Sequence, residues 1–528
     1  MSETDEGLTK KQRLIFLMLA GGVMFVAYWM VVSLALVGWP RLIYSIITLK
    51  YRGPLAWLGR VLGFGRLRPG PRGALFLLLM IILGGTYLAV VYLVRKEDRK
   101  VFTWVLWGGF AVFALLFLFI PSLQSRDVFS YTFSGRAISV YHENPFLLVP
   151  ANRPLDIVYP MVGWKYNASV YGPVFNAAAA IITKVAGARI VLNIFLFKLL
   201  ALASYAGTVG IVYVLARKVS PGRENMALAI TAWSPLMIMH IIGAGHNDAL
   251  MVFFIMLGFL LYRKNYKWLG MVAIVVAVSV KVIAVLALAP MVVLYLRERE
   301  GSLFPRVGKA AVAVIGVPAL LYAPFWAGPR IFETTRAMVK AYSGSSVPTL
   351  FRNISTQLLH AMGIVSERAL NLSSTLIWLV FTGIFVVVTI AMLLKVRNFK
   401  SMIVAAAAIS LIWFLTAPYI LPWYLCMALV ITAVDGWDVT TGAALAASTV
   451  FLFYRIPQLN IQMRPLRLPL RTGPTHTPAG PTSLLYIGLP FAAILLAWLL
   501  SRARVRSFLH GRIGGAGTGD SLETADSK

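Results

Sequence analysis

A carboxylate set beside a guanidinium, where apolar chain gives way to polar, stays ionised and can take a proton from a hydroxyl. The sequence offers one prominent place for such a group. Asp127 follows Arg126 in Ser125-Arg126-Asp127-Val128-Phe129-Ser130-Tyr131, just past the apolar run 102–121. The polar stretch continues through Gly135-Arg136, Tyr141-His142-Glu143-Asn144-Pro145-Phe146, Asp156, Trp164 and Tyr171-Gly172-Pro173. Only 19 residues are acidic, and many of those lie in the tails or in basic loops, so an acid here is a candidate general base. Asp also suits the start of a helix, where its side chain accepts from free N–H groups. The two roles are compatible.

Four further clusters carry polar chemistry. Gly243-Ala244-Gly245-His246-Asn247-Asp248 separates two apolar runs. His246, Asn247 and Asp248 are costly to place in lipid, so they line a cavity or form a capped turn between helices. One His and one Asp without further ligands nearby give no metal-site pattern. Lys281 interrupts the apolar stretch 272–296 and either snorkels to the interface or holds a phosphate. Pro418-Tyr419-Ile420-Leu421-Pro422-Trp423-Tyr424 reads as an interfacial aromatic belt or as a wall for a sugar or an isoprenoid chain. Arg455, Arg464, Arg467 and Arg471 form an acid-free group suited to a phosphate or to anionic lipid.

The elements that must hold these residues are hydrophobic helices. The chain has 528 residues, 59% hydrophobic and 13% charged, about half the charged share of a soluble domain. Its mean hydropathy is +0.79. Runs such as 14–37, 74–94, 102–121, 190–216, 372–394 and 484–500 carry almost no charge, and roughly 20 apolar residues suffice to cross a bilayer. The expected fold is therefore an all-α polytopic bundle of about 14 spans. They are placed at 14–37, 73–94, 101–120, 189–216, 226–242, 246–262, 267–280, 282–296, 309–326, 372–394, 401–417, 421–434, 438–454 and 483–500. The net charge of +30 does not point to nucleic acid, because the basic residues sit in short segments between apolar runs. Those at 95–100, 217–223, 263–267, 297–299, 395–400 and 502–506 all fall on one side of this scheme, as the positive-inside rule requires of cytoplasmic loops. They also face anionic headgroups.

The domain reading follows: a cytoplasmic N-terminus over 1–13, a membrane domain over 14–500, and a Gly-rich then acidic, disordered tail over 501–528. Lys10, Lys11 and Arg13 precede an apolar run too long for a cleaved leader, so it reads as a signal anchor. Outer loops are expected over 122–175, 327–371 and 455–482. Segment 38–72 holds seven Lys and Arg and no acid, yet the scheme puts it outside; either it is an interfacial amphipathic pair, or an extra or missing span near the N-terminus flips it to the inside. Cys426 is the one cysteine, so no intrachain disulfide can form.

The sequence of an outer-loop Asp, then Ser-Tyr, Gly-Arg, Asn-Pro-Phe and Tyr-Gly-Pro resembles the superfamily C glycosyltransferases (GT-C). Gly245-His246-Asn247-Asp248-Ala249-Leu250 narrows the likeness to bacterial polyprenol-phosphomannose-dependent α-1,6-mannosyltransferases. The resemblance covers roughly 100–455. It implies a GT-C-like bundle in the bacterial cell membrane and a metal-independent, inverting transfer on the outer face. A sugar, mannose by family precedent, would move from a polyprenyl-phosphate donor to a glycan or lipoglycan acceptor. Asp127 matches the family's loop carboxylate and would be the base. Arg126, Arg136, Lys281, His246 and Arg455 are candidates for the departing phosphate. Tyr131, Asn144, Tyr171, Asn247, Asp248, Trp423 and Tyr424 join them as substrate-binding candidates. No cofactor is implied; the partners are the lipid-linked donor, the acceptor and membrane lipid. Independently, the chain lacks a dinucleotide or Walker fingerprint and any cytoplasmic loop large enough for a nucleotide-sugar domain. Two other readings stay open: a flippase or transporter of a lipid-linked glycan, with polar groups along the whole depth, and a glycan ligase or polymerase using the same Asp.

Overall fold

In hydrocarbon every backbone N–H and C=O must find its partner within its own segment, which leaves the long apolar runs one outcome, the α-helix. The computed structural model describes residues 9–38, 54–122, 125–298, 302–339, 343 and 346–453. Among these the architecture is all-α, with a single isolated bridge between Ala327 and Pro329. Seven helices are long and apolar enough to cross a membrane: Lys10–Val37, Gly70–Val94, Lys100–Leu118, Ile190–Val219, Leu303–Phe325, Glu367–Leu394 and Phe399–Thr416. Shorter apolar helices at Lys267–Val278, Val282–Arg297, Pro422–Asp435 and Val439–Phe453 match further expected runs. The expected run 483–500, the Arg-rich loop 455–482 with Arg455, and the tail 501–528 lie outside the described residues.

Proline and turn chemistry explain why several runs are short. Glu224–Ala232 stops at Trp233-Ser234-Pro235, because proline has no N–H to continue the ladder. The chain then winds into a wide π turn, Met237–Ile242, directly before the His246 segment. Such turns recur at functional sites. Pro290 lies inside Val285–Arg297, and Pro422 opens a tight turn, Pro422–Leu425.

The expected outer segment 122–175 is not all loop. Asp127–Ser139 is a helix, and Pro173–Ala186 is a second that no expected span covered. The latter buries Phe175, Ala179, Thr183 and Ala186 and exposes Ile181 and Val185. That spacing of three and four residues marks one helical face. In segment 38–72, Pro54–Val61 packs against Lys10–Ser33, leaving Arg60 exposed beside Trp57, Val61 and Leu62. Basic and apolar groups side by side suit a headgroup region. Residues 39–53 of that segment lie outside the described part.

The bundle has two chemically distinct ends. At one, Asn225 Nδ2 donates to the carbonyls of Glu97 (3.0 Å) and Arg99 (3.2 Å), and Arg13 pairs with Glu97 at 3.3 Å. The Ser220 hydroxyl donates to Asp435 O (2.6 Å), and Lys400 approaches Asp435 at 3.6 Å. Arg297 donates to Val396 O (2.7 Å), and Lys267 pairs with Glu298 at 2.7 Å. These contacts tie every described basic cluster of the cytoplasmic set to one face. At the other end residues 120–122, 125–127, 246–248, 281 and 418–424 converge.

Candidate active site

The site is built where Lys100–Leu118 ends. Ser122 Oγ donates to Ser125 O (3.2 Å) and Ala244 O (3.2 Å), and Ser125 Oγ accepts from the Asp127 N–H (3.1 Å). Arg126, not Asp127, occupies the cap position of the next helix, and its side chain makes no capping bond. Asp127 instead begins the first turn, where the helix dipole favours a negative group. Its side chain is 18% exposed.

Behind Asp127 stands the His246 segment. His246 Nδ1 lies 3.5 Å from Asp127 Oδ2 and 3.4 Å from the Tyr131 hydroxyl. Tyr131 also donates to Asn247 Oδ1 (3.3 Å) and accepts from the Asn247 N–H (3.4 Å). These are long contacts of the kind that tighten when substrate closes a site. Burial pushes the Tyr131 hydroxyl well above the usual tyrosine range, and the carboxylates of Asp127 and Asp248 push it further. It therefore remains neutral and able to donate. Tyr171, which meets Tyr131 edge to face at 4.8 Å, is raised for the same first reason, burial. Trp423 stacks on His246 with ring centroids 3.8 Å apart and planes 19° apart.

Lys281, just before Val285–Arg297, meets the same segment two residues on, at Asp248. Its ammonium donates to both oxygens of Asp248 at 2.8 Å and sits 4.1 Å over the Tyr424 ring. Asp248 is buried, and the Lys281 side chain is 15% exposed. Backbone bonds fix the approach: Gly172 N donates to Val280 O (3.0 Å), and Val174 N to Ser279 O (3.1 Å). A Cβ on Gly172 would fall 2.0 Å from Ser279 O, so only glycine fits there.

Asp127 and Lys281 both line a cavity of about 720 Å³. Its charged lining residues, among those described, are Arg126, Asp127 and Lys281. Ser130, Trp164, Asn167 and Ser169 line one part, and Val282, Val285, Leu286, Phe385 and Trp413 another. The second part is apolar, and Val282 and Val285 are also exposed on the bundle's surface.

The candidates sort by place. Arg126, Asp127, Tyr171, Lys281, Trp423 and Tyr424 line the cavity. Tyr131, His246, Asn247 and Asp248 do not line it; they are buried directly behind Asp127 and Lys281. The triplet is thus a turn that supports the wall, Asn247 being the cap residue of Asp248–Arg263. Arg136 and Asn144 lie elsewhere. Arg136 Nε donates to Asp156 Oδ2 (2.8 Å), which also accepts from the Tyr141 hydroxyl (2.6 Å). Asn144 Nδ2 donates to Phe325 O (2.7 Å). Both brace the loop rather than face the cavity. Trp164 and Tyr419, from the polar stretch and the aromatic cluster, line it too, as do Asn167, Phe385 and Trp413, which no local pattern in the sequence brings together. No three His, Cys, Asp or Glu side chains among the described residues cluster in a way that could hold a metal.

Residues 54–297 match the family model described as "Alpha-(1->6)-mannopyranosyltransferase, N-terminal domain". A relative named alpha-(1->6)-mannopyranosyltransferase A from Mycobacterium tuberculosis is 30% identical over 337 residues, 61% of this chain and 63% of its own. A protein of the same name from Corynebacterium glutamicum is 28% identical over 230 residues, 43% of this chain and 46% of its own. Alpha-(1->6)-mannopyranosyltransferase B of the latter organism is 26% identical over 140 residues, 26% of this chain and 23% of its own. The chain spans less than two thirds of the length of these relatives. The resemblance to α-1,6-mannosyltransferases read from the Asp127 loop and the His246 motif is borne out, and the matched residues include Asp127, His246 and Lys281.

Proposed function

We propose that this protein is an inverting mannosyltransferase that moves mannose from a polyprenyl-phosphate donor to a hydroxyl of a glycan or lipoglycan acceptor, on the outer face of the bacterial cell membrane. One observation carries the reading: Asp127 and Lys281 line one cavity, and apolar residues Val282, Val285 and Leu286, the first two also exposed on the bundle's surface, line it with them. The apolar part suits an isoprenoid chain, Lys281 suits its phosphate, and the polar part near Trp164 and Asn167 suits an acceptor sugar. Asp127 takes the proton of the acceptor hydroxyl as its oxygen bonds to the anomeric carbon. The carbon–oxygen bond to the phosphate breaks on the other face, and the polyprenyl phosphate leaves. A β-linked donor thereby yields an α-linked product, in keeping with the names of the relatives. Holding both substrates in one cavity supplies much of the rate. Lys281 and Arg126 stabilise charge as it develops on the leaving phosphate. His246, stacked on Trp423, holds Asp127 in orientation. The alternative of a transporter finds less support, because the charged groups lining the cavity, among the described residues, are Arg126, Asp127 and Lys281 alone, not a series along a path through the bundle.

The test uses purified protein with radiolabelled polyprenyl-phosphate-mannose and candidate mannan acceptors. Label is expected to pass to the acceptor, to persist in the presence of a chelator, and to stop in Asp127→Asn while that variant keeps its fold and membrane insertion. Full transfer by Asp127→Asn removes Asp127 as the base, and no transfer by the wild type removes the reaction.

A further inference from the structure

Lys198 lies inside the long apolar helix Ile190–Val219 with none of its surface exposed. Its ammonium donates to Phe117 O and, at 2.6 Å, to Ile120 O. Those carbonyls are at the C-terminal end of Lys100–Leu118, where the last turn leaves backbone acceptors unsatisfied and carries partial negative charge. A cation in an apolar bundle is costly unless such partners surround it. The position within the fold makes this one informative. Two residues beyond Ile120, Ser122 bonds Ala244 on one side and Ser125 on the other, and Ser125 holds the Asp127 N–H. The stem of Lys198 also touches the second half of the site. A Cβ on Gly245 would meet Lys198 Cγ at 3.0 Å, and Gly245 has φ of +72°, which favours glycine. Its neighbour His246 faces Asp127.

We propose that Lys198 is a positioning residue: it clamps the end of the Lys100–Leu118 helix and, through Ser122 and Ser125 on one side and Gly245 on the other, sets Asp127 and His246 in register. It touches no substrate. Its nitrogen is committed to the two carbonyls, and it does not line the cavity. Replacing it with methionine keeps the length of the side chain but frees Phe117 O and Ile120 O, so the turn that carries Asp127 loses its anchor.

This inference rests on Asp127 acting as the base, and two readouts keep the two ideas apart. The first is transfer from radiolabelled polyprenyl-phosphate-mannose. Lys198→Met is expected to lower kcat about 100-fold, the scale of a misplaced catalytic group, with the donor KM little changed. The second is amide hydrogen exchange, which needs no substrate. Exchange is expected to rise over 117–127 and 243–248 and to stay unchanged in the basic loops at the other end. Ser122→Ala, a smaller change, is expected to lower kcat in the same direction, and it carries the test if Lys198→Met does not fold. A kcat within threefold of wild type in Lys198→Met, or in Ser122→Ala where that variant must stand in, overturns the proposal, as does exchange that rises everywhere or nowhere. If the wild type transfers no mannose, the proposed reaction fails and the exchange pattern alone decides for or against Lys198.

Discussion

At the scale of single residues, the chemistry is divided between side chains that face the cavity and side chains that hold them. Lys281 faces it, and Asp248 holds Lys281 through two hydrogen bonds of 2.8 Å. A buried pair of this kind is poor evidence of stability but strong evidence of fixed direction, since each partner limits where the other can point. The ammonium keeps a third proton, and the Tyr424 ring beneath it leaves the cavity as the open side. Lys281→Met is expected to lower kcat/KM by about 100-fold, the usual cost of removing one donor from a developing anion. Asp248→Asn leaves the lysine in place but loosens it, and a loss of similar kind follows. Because the two act as a unit, the double variant is expected to be no worse than the poorer single one. A double-mutant cycle measures this. Losses that multiply would mean that Asp248 has a separate task and does not simply aim Lys281.

At the scale of elements, the site depends on backbones that approach more closely than side chains allow. Gly172 lies against Ser279 and Val280, one residue before Lys281, and joins the loop that ends at Tyr171 to the wall that carries the cation. A methyl group at 172 has no room beside Ser279 O, so Gly172→Ala must part the two segments. The expected cost is about 1–3 kcal/mol of stability, the range for overpacking, with loss of transfer. Gly210→Ala, in the Ile190–Val219 helix, meets nothing within 4 Å and is expected to leave the melting temperature unchanged or higher. Thermal melts of the two variants in the same detergent check both statements, and equal melting points would refute the close-approach argument. The same contrast explains what could be read from the sequence. Long helices such as Glu367–Leu394 are legible, because about 20 uncharged residues admit few other structures. Asp127 was legible from its setting after the run 102–121. Pro173–Ala186 was not: it has 14 residues and one polar edge, too short and too mixed to register as a span. Arg136 has the chemistry of a phosphate ligand, and only the fold shows that Asp156, twenty positions on, occupies it. Lys198 disappears into a run so apolar that one cation does not change its character, and its acceptors, Phe117 and Ile120, lie some eighty residues earlier.

At the scale of the whole molecule, charge is sorted between two ends, and the sorting predicts orientation. The Glu97, Asn225, Asp435 and Glu298 contacts gather the basic loops 95–100, 217–223, 263–267 and 395–400 on one face, while Asp127, His246 and Lys281 lie at the other. Short loops rich in Lys and Arg are retained in the cytoplasm, so the cavity is expected to face outward. The stretch around Arg60, Arg66, Arg68 and Arg72 runs against this trend: Pro54–Val61 packs on the far end of Lys10–Ser33, away from Arg13 and Glu97. Its exposed arginines beside Trp57 and Val61 suit a seat among anionic headgroups, which can override the loop rule for a segment that is never required to cross. Thiol labelling weighs the two signals against each other. Cys426 is buried and is the chain's one cysteine, so Cys426→Ala gives a silent background. Tyr166, 82% exposed in the loop between the cavity residues Trp164 and Asn167, and Lys264, in the basic loop after Asp248–Arg263, each become a reporter when changed to cysteine. On intact cells an impermeant maleimide is expected to label Tyr166→Cys at once and Lys264→Cys only after the membrane is opened. The reverse pattern would put Asp127 in the cytoplasm and would leave the proposed lipid-linked donor, if presented outside, with no such carboxylate to meet it.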